Sequence, residues 1–309
     1  MCIRDSQEQA HLIPKQCSIP VVVTVHDLFH FFPEVIKVGN ESIEVGDRNP
    51  RWYRRRDLGK LRAGLARADL LVCDSKATLS ACEDHFPEVQ SICVPLGLDV
   101  QSFIPQAQAT TDIPAPASGL SKGCHLLIVG SHAPRKRLNF ICQLLGDLDT
   151  EIKQNIIVHH VGNESCPYGG PSASQLAEKY GVTNWISHGG ELSSAALMAM
   201  RHASEALLFP SASEGFGYPP LEAMASGTPV LCSNLPSHNE LMPDETCLQA
   251  DDKEAWTEAL LSVYSNWQSR SKNDQHHVWP KSRSGLIEFA SRFDQSRFCQ
   301  RMAEVYDSL

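Results

Sequence analysis

The sequence predicts an α/β protein whose sheets are parallel and doubly wound. Short apolar and β-branched runs alternate with helical stretches along almost the whole chain, and the connections between them are short. This alternation is typical of right-handed βαβ units. The chain has 309 residues, of which 42% are hydrophobic and 20% are charged, so it is long enough for two domains with buried cores. The same composition excludes low-complexity and disordered proteins.

Three strands are predicted before residue 100. They are Pro20–Val25, Asp69–Asp74 and Ser91–Pro95, with helices at Arg51–Arg67 and Lys76–His85 between them. A doubly wound domain has about five or six strands, so we expect residues 1–105 to form a partial amino-terminal domain that lacks roughly its first half. Residues Met1–Ser6 lack the apolar core of a secretory signal, and we hypothesise that they are not native sequence.

A stretch rich in Pro, Ala, Ser, Thr and Gly predicts an interdomain linker at 106–123. A second doubly wound domain is expected over 124–285, followed by a carboxy-terminal helix over 286–309 that packs back on the first domain. The predicted strands of this part are His125–Val129, Asn155–Val161, Trp185–His188, Ala206–Phe209, Pro229–Ser233 and Cys247–Leu248. Its predicted helices are Lys136–Leu148, Ser172–Tyr180, Ser193–His202, Pro219–Ser226, Ser237–Met242, Asp251–Gln268 and Arg283–Tyr306.

Charge, hydropathy and cysteine usage indicate what the protein binds and in which compartment it works. With 27 Lys and Arg against 36 Asp and Glu, the net charge is −9, which argues against a nucleic-acid partner because such proteins usually carry a net basic domain. No apolar run of the sequence reaches the roughly 18–20 residues that a membrane span needs. The 11 cysteines include no C-x-x-C pair and several lie inside apolar runs, so we interpret them as reduced thiols of a cytoplasmic protein.

The most informative segment follows the predicted strand Ala206–Phe209 and reads PSASEGFGYPPLEAMASGTP. A Gly-rich loop leads into a helix whose start is marked by two prolines. Gly215 and Gly217 permit a ligand to approach the backbone closely, and the free N–H groups of a helix start suit phosphate or sugar hydroxyls. Glu214 and Glu222 lie at the same mouth, where a carboxylate can accept hydrogen bonds from a ribose diol. The alternative is that both only stabilise a helix start.

A second loop at the same edge of the sheet is VGSHAPRKR, residues 129–137. Arg135, Lys136 and Arg137 follow Gly130 at a predicted helix start, where the helix dipole disfavours cations. We therefore expect an anion, such as a diphosphate leaving group, to compensate their charge. The alternative is a solvated basic first turn.

In these two segments, and in VTVHDL at 23–28, ADLLVCDSKAT at 68–78 and VPLGLD at 94–99, the sequence resembles the retaining glycosyltransferases of family 4, also called glycosyl transferases group 1. This family has the GT-B fold, in which two Rossmann-like domains face each other across a cleft. The resemblance covers most of residues 20–260, and its E-x7-E segment is highly specific. It implies that 124–285 is the nucleotide-sugar-binding domain and 1–105 the acceptor side, the latter incomplete.

The resemblance also implies roles for individual residues. Glu222 is expected to bind the donor ribose and Glu214 to face the transferred sugar. Arg135 and Lys136 are expected to bind the diphosphate, and His26 to reach the sugar from across the cleft. Further donor contacts are expected from Gly215, Phe216, Gly217, Tyr218, Gly130 and Ser131. Many members carry Arg at the position of Ser131, and Arg135 is expected to supply that charge.

We expect neither a metal nor another cofactor. Cations and a helix dipole stabilise the departing phosphate in this family. The tripeptide Asp147-Leu148-Asp149 resembles a metal-binding D-x-D, but it falls at the opposite edge of the sheet. The pairs His159-His160 and His276-His277 have no Cys or carboxylate at zinc-ligand spacing.

The segment Arg51–Arg67 is strongly basic and has aromatic neighbours. Basic amphipathic helices bind anionic membrane surfaces, so peripheral contact with the cytoplasmic face of a membrane is one interpretation. A solvated face with packing arginines is the other.

The resemblance implies transfer of a hexose, with mannose as one candidate, from a nucleotide-diphosphate sugar to a hydroxyl of a glycan or lipid-linked acceptor. Retention of the anomeric configuration and a place in surface polysaccharide synthesis are expected. The alternative is a catalytically inactive, nucleotide-binding fragment of such an enzyme. The lack of a Gly-rich acceptor loop after the first strand favours that alternative.

Overall fold

The computed structural model describes residues 2–4, 7–104, 123–190, 192–243, 246–272 and 282–309. It contains two parallel sheets and a two-stranded antiparallel hairpin. This arrangement confirms the predicted α/β class with parallel sheets. The predicted linker lies outside the described residues except for Gly123, so the domain boundaries stay a prediction.

The first sheet has four parallel strands, one more than the sequence predicts. In chain order the strands of this part are β1 (Cys2–Arg4), β2 (Val21–Val25), β3 (Glu34–Val38), β4 (Glu41–Val45), β5 (Leu70–Cys73) and β6 (Gln90–Cys93). The sheet order is β1-β2-β5-β6, and β3 pairs with β4 in the hairpin. The prediction missed β1 because a strand of three residues carries no readable alternation.

Two helices and a 3₁₀ helix at Gln7–Leu12 accompany this sheet, and a short third helix packs instead on the second part of the chain. The helices are α1 (Trp52–Leu65), α2 (Lys76–His85) and α3 (Val100–Phe103). One face of α1 buries Leu58, Leu61 and Leu65 in the same core as the strands. The start of α2 is the predicted residue because Ser75 caps it, its hydroxyl accepting a hydrogen bond from the N–H of Thr78 at 3.0 Å.

The second sheet has five parallel strands in the order β11-β10-β7-β8-β9. They are β7 (Cys124–Val129), β8 (Ile156–Val161), β9 (Trp185–Ser187), β10 (Ala206–Phe209) and β11 (Val230–Cys232). The prediction of a further strand at Cys247–Leu248 is wrong. There a single bridge joins Leu248 to Ser233, since the chain runs beside the sheet too briefly to form a ladder.

The helices of the second part follow the predicted alternation, except for α5, a short helix that was not predicted. They are α4 (Leu138–Gly146), α5 (Thr150–Asn155), α6 (Ala173–Lys179), α7 (Ser194–Ala203), α8 (Tyr218–Ala225), α9 (Pro236–Leu241), α10 (Lys253–Lys272), α11 (Ser282–Ala290) and α12 (Gln295–Asp307). None of the described helices is both long and apolar enough to cross a membrane.

Two predicted helices are each interrupted by a 3₁₀ turn in the structure. The helix expected from Lys136 begins at Leu138, because Arg137 adopts a left-handed conformation with φ of 52° and separates α4 from a 3₁₀ turn at Pro134–Lys136. The stretch Arg283–Tyr306 is interrupted by a second 3₁₀ turn. Asp294 then starts α12, its side chain accepting from the N–H of Ser296.

The last helix returns to the first sheet. On α12, Met302 and Phe298 pack against Val22 and Val72 of that sheet. The backbone of Leu98 also pairs with the segment before α12, donating to Phe293 O at 2.8 Å. The carboxyl-terminal part of the chain, which follows the second sheet, thus packs on the first sheet and joins the two.

Candidate active site

Glu214 follows β10 and lies between two cations of the loop that follows β7. Its Oε1 is 2.6 Å from Lys136 Nζ, and its Oε2 is 2.7 Å from Arg135 Nη1. The Glu214 side chain is 8% exposed. Arg135 Nη1 also donates to Ser213 O at 2.9 Å, and the N–H of Ala212 donates to Arg135 O. The two loops singled out in the sequence thus meet at one edge of the second sheet.

The charges of this cluster determine its protonation. Burial alone would raise the pKa of Glu214, but the charges of Lys136 and Arg135 outweigh it and lower that pKa to about 2. Burial lowers the pKa of Lys136 in spite of the opposing effect of Glu214. Lys136 Nζ also lies 4.4 Å from the ring centre of Phe209. With two cations and one carboxylate, the cluster can accept further negative charge.

Glu222, in α8, has a partner that the sequence did not reveal. Arg201 Nη2, at the end of α7, pairs with Glu222 Oε2, and the guanidinium is almost fully buried. Burial raises the pKa of Glu222, and the charge of Arg201 opposes that rise. The hydroxyl of Thr228 donates to Arg201 O at 2.7 Å and fixes the helix end. The available signal was one Arg inside the otherwise apolar run LMAMRHA.

The loop at Gly130 and Ser131 is fixed by a side chain from the neighbouring strand β8. His160, buried in β8, places its Nε2 3.0 Å from Gly130 O. The Lys136 side chain passes over Gly130, where an added Cβ would lie 3.4 Å from Lys136 Cε. Ser131 is exposed at the mouth of the sheet.

The other half of the pair His159-His160 points elsewhere. His159 lies in a stacked row, with His125 Nδ1 at 2.9 Å from its Nε2 and His188 Nε2 at 3.0 Å from its Nδ1. Across the described ranges, no three His, Cys, Asp or Glu side chains form a metal-binding group. His276-His277 lies outside the described residues. In the D-x-D tripeptide, the Asp147 carboxylate pairs with Lys253.

The remaining predicted donor contacts lie where the Gly-rich loop enters α8. Gly217 has φ of +115°, a conformation that favours glycine, and it directly precedes the helix. The Phe216 ring is buried against Tyr218 and Phe293, and the Tyr218 hydroxyl donates to Gly97 O at 3.2 Å. Both aromatic side chains are thus engaged in packing, so a ligand would meet the backbone of this loop.

His26 follows β2 at the edge of the first sheet. Its Nδ1 is 3.2 Å from Oδ2 of Asp74, which follows the neighbouring strand β5. The His26 side chain is 43% exposed, whereas that of Asp74 is 2% exposed. Burial raises the pKa of Asp74, and its contact with His26 partly offsets the rise. Asp74 was not predicted as a site residue, although its position as the last residue of the predicted strand Asp69–Asp74 was the available signal.

The mouths of the two sheets face each other at short range. Gly215 O accepts from Ser75 Oγ at 2.5 Å, and an added Cβ at Gly215 would lie 1.9 Å from His26 O. The carboxylate of Glu240 accepts from the N–H of Lys76 at 2.9 Å and from that of Ala77 at 3.2 Å. The loops that carry Glu214 and His26 therefore line one cleft.

The basic segment Arg51–Arg67 contains both packing arginines and an exposed basic surface. Arg62 Nη2 donates to Phe31 O and the guanidinium lies over Phe32, so this side chain packs. Arg67 likewise donates to a backbone carbonyl. At the start of α1, by contrast, Trp52 is 75% exposed among exposed arginines.

Comparisons with known proteins agree with this geometry. A family model described as "Glycosyl transferases group 1" matches residues 118–276, about half of the chain. The D-inositol 3-phosphate glycosyltransferase of Geodermatophilus obscurus is 29% identical in an alignment of 289 positions that covers 87% of this chain and 60% of that protein. The O-antigen chain mannosyltransferase RfbU of Salmonella typhimurium is 42% identical over 59 residues, 19% of this chain and 17% of that protein. The chain thus spans less than two thirds of the length of these relatives.

A solved structure shows the same fold. Anabaena Alr3699/HepE in complex with UDP-glucose has a TM-score of 0.68 with this chain at 16% sequence identity, covering 94% of this chain and 72% of that one. The family match, the two facing Rossmann-like sheets and this likeness lead to one conclusion. The chain belongs to the glycosyl transferases group 1 family and has the GT-B fold.

Proposed function

We propose that the protein is a retaining glycosyltransferase that moves a hexose from a nucleotide-diphosphate sugar to an acceptor hydroxyl. The observation that carries this proposal is the buried cluster of Glu214 with Arg135 and Lys136, which faces His26 across the cleft. A diphosphate needs such cations, and a transferred sugar beside them would lie between the two sheets. The relatives are named as glycosyltransferases, and the solved structure holds UDP-glucose.

In this proposal the donor lies along the mouth of the second sheet. Glu222 accepts hydrogen bonds from the ribose hydroxyls, and its ion pair with Arg201 orients the carboxylate. Arg135 and Lys136 bind the diphosphate together with the backbone N–H of Ser131 and those of the Gly-rich loop before α8, since Pro219 and Pro220 leave the helix itself few free donors. The site as described contains no group that depends on a metal, so chelator is expected to leave donor binding unchanged.

The transfer step breaks the bond between the anomeric carbon and the β-phosphate oxygen, and the electron pair leaves with the phosphate. The acceptor oxygen bonds to the same face of that carbon, and its proton passes to the departing phosphate oxygen. Arg135 and Lys136 stabilise the charge that develops on the phosphate. His26, oriented by Asp74, contacts the sugar from the opposite wall and keeps it in place.

Glu214 acts in this mechanism by orienting the two cations and the sugar, not as a nucleophile. Both of its oxygens are paired with cations, and its pKa is lowered to about 2. A carboxylate so stabilised is a weak nucleophile, since attack on carbon would separate its charge from Lys136 and Arg135.

The names of the relatives suggest the wider setting. A mannosyl donor and a glycan or lipid-linked acceptor in surface polysaccharide synthesis would agree with the O-antigen mannosyltransferase. The exposed Trp52 and Tyr53, with Arg51, Arg54 and Arg55 around them, offer a surface for anionic lipid at the cytoplasmic face of a membrane.

Calorimetric titration with UDP, GDP and ADP, without added metal, tests the proposal first. We expect one of them to bind, and Glu222→Ala to weaken that binding by about 1–3 kcal/mol through loss of a charged hydrogen bond. Glu178→Ala, which removes an exposed carboxylate of α6, is the matched control. Incubation with the corresponding nucleotide sugars and NMR of the product anomer then tests transfer and retention. Nucleotide binding without any transfer would instead support the inactive alternative.

A further inference from the structure

A cavity of about 370 Å³ opens beside Glu214 and Gly215, between the two sheets. It lies within the size range of small-molecule sites. The chain after β2, strand β3 and helix α2 line it from one side. The loop after β10 and the start of α9 line it from the other. A molecule in this cavity would therefore touch both walls of the cleft next to the proposed site of transfer.

The charged side chains that line the cavity are all carboxylates. They are Asp27, Glu34, Asp84 and Glu214, and among the described residues of the lining there is no Lys or Arg. Glu214 is already neutralised by Arg135 and Lys136. Arg62, whose guanidinium lies over the ring of Phe32, is a further cation beside this wall. With it, Asp27, Glu34 and Asp84 still leave the wall with a net negative charge, which attracts hydroxyl donors and repels phosphate.

The apolar part of the lining suits the carbon face of a sugar ring. Phe29, Phe32 and Ile36 line the cavity. The ring of Phe32 is stacked on His85 with their centres 3.6 Å apart and also lies under the Arg62 guanidinium, so it adds apolar surface to the wall but no free ring face. Apolar walls with a few carboxylates at the rim match the alternating C–H and O–H surface of a polyol.

A backbone anion site beside the cavity is already filled. Ala77 and Thr78, at the start of α2, belong to the lining, and a helix start favours an anion. The carboxylate of Glu240 occupies it, accepting from the N–H groups of Lys76 and Ala77. A phosphate on the acceptor could bind these N–H groups only by displacing the carboxylate of Glu240.

We propose that this cavity receives the acceptor as an uncharged sugar unit and excludes acceptors that carry a phosphate on that unit. The inference rests on the proposed function, whose acceptor it specifies. Asp84 and Glu34 select the acceptor through charge and hydroxyl contacts, and Phe29 and Ile36 contact the carbon face of the ring.

The test measures binding of matched neutral and phosphorylated sugars to the full chain by titration NMR, with and without a nucleoside diphosphate. The pairs are mannose with mannose 6-phosphate and glucose with glucose 6-phosphate. We expect the neutral sugar of at least one pair to bind about tenfold more tightly than its phosphate. Asp84→Lys should abolish or reverse that preference, and Asp84→Asn should reduce it.

Glu83→Lys is the matched control, since Glu83 is exposed on the same helix but does not line the cavity. Both Lys substitutions lie near the carboxyl end of α2, where the helix dipole favours cations. Equal or tighter binding of the phosphorylated sugars to the unmodified chain would overturn the inference. So would binding of neither member of any pair, or the same response from Glu83→Lys and Asp84→Lys. Transfer to a phosphorylated acceptor would overturn it while leaving the proposed function intact, whereas failure to bind any nucleotide would contradict the proposed function alone.

Discussion

Two buried carboxylates, one at the mouth of each sheet, have pKa values that are shifted in opposite directions. Glu214 follows β10 and Asp74 follows β5, and both side chains are nearly inaccessible. The pKa of Glu214 is lowered to about 2 by Lys136 and Arg135, which overcome its burial, whereas burial prevails at Asp74 and raises its pKa. Position at a strand end therefore does not decide the direction of the pKa shift. Permanent cations do, and they lie on the second-sheet side.

The same difference separates the tasks of the two walls. The second wall gathers cations around one carboxylate and is suited to a diphosphate. The first wall offers His26 with Asp74 and, in the cavity, a series of carboxylates. A charged donor and an uncharged acceptor would thus be sorted by electrostatics before any specific hydrogen bond is made.

Acid titration of Glu214→Gln gives the largest expected effect and tests the comparison directly. A carboxylate whose pKa is lowered on folding stabilises the fold above its unfolded pKa, near 4.5, and loses that contribution as pH falls towards about 2. A change of that size corresponds to about 3 kcal/mol. Denaturant unfolding of the unmodified chain and the variant, from pH 6 to pH 2.5, should show their difference shrinking as pH falls.

Asp74→Asn is the opposing arm of that titration. Because the pKa of Asp74 is raised on folding, its contribution is present at low pH and is lost as pH rises through the folded pKa. The stability difference for Asp74→Asn should therefore change with pH in the sense opposite to that for Glu214→Gln. Parallel pH profiles for the two variants would show that the two carboxylates do not differ as described.

Lys136→Ala is expected to have the next largest effect, on ligand binding. It should weaken binding of a nucleoside diphosphate by about 10- to 100-fold, and binding of the bare nucleoside much less, because the lost contact is to phosphate. Calorimetry with both ligands measures the difference. Lys179→Ala, which removes an exposed cation of α6, should change neither affinity. Equal losses for the two ligands with Lys136→Ala would refute the diphosphate assignment.

Glu240→Ala should have the smallest effect, since it removes a contact that joins the two walls without touching either cluster. Loss of a carboxylate from the start of α2 is expected to lower the free energy of unfolding by about 1 kcal/mol. Denaturant unfolding measures this, with Glu88→Ala, at an exposed position outside the helix, as the control. A loss no greater than that of the control would mean that solvent serves the helix start as well as Glu240 does.

Local signals predicted the elements far better than they predicted the partners of charged groups. The start of α2 was predictable because Ser75 caps it within three residues, and the strand β10 because its four residues are apolar throughout. The meeting of Glu214 with Lys136 followed from both loops leaving parallel strands at one edge. Arg201, by contrast, reaches Glu222 only because α7 and α8 pack together, and sequence spacing does not specify the rotation of one helix against another.

The hairpin of β3 and β4 was missed for a different reason. Its strands carry charged residues, and five of their ten residues are exposed. β3 shows no regular apolar alternation, and that of β4 extends over only four residues, Ser42–Val45, which is too short to distinguish the strand from a loop. The Gly39-Asn40 dipeptide between them was the available turn signal. The late start of α4, at Leu138, was also missed. It depends on the left-handed backbone conformation of Arg137, which the identity of an arginine does not predict.

This hairpin enters the chain between two strands that are neighbours in the sheet. β2 pairs directly with β5, so the hydrogen-bond ladder continues unbroken whatever the connection between them contains. The hairpin is held by Arg137, which pairs with Glu41 at 3.2 Å, and by its buried Ile43 and Val45. Its exposed residues can therefore vary without disturbing the sheet, as in surface loops that carry specificity on a constant scaffold.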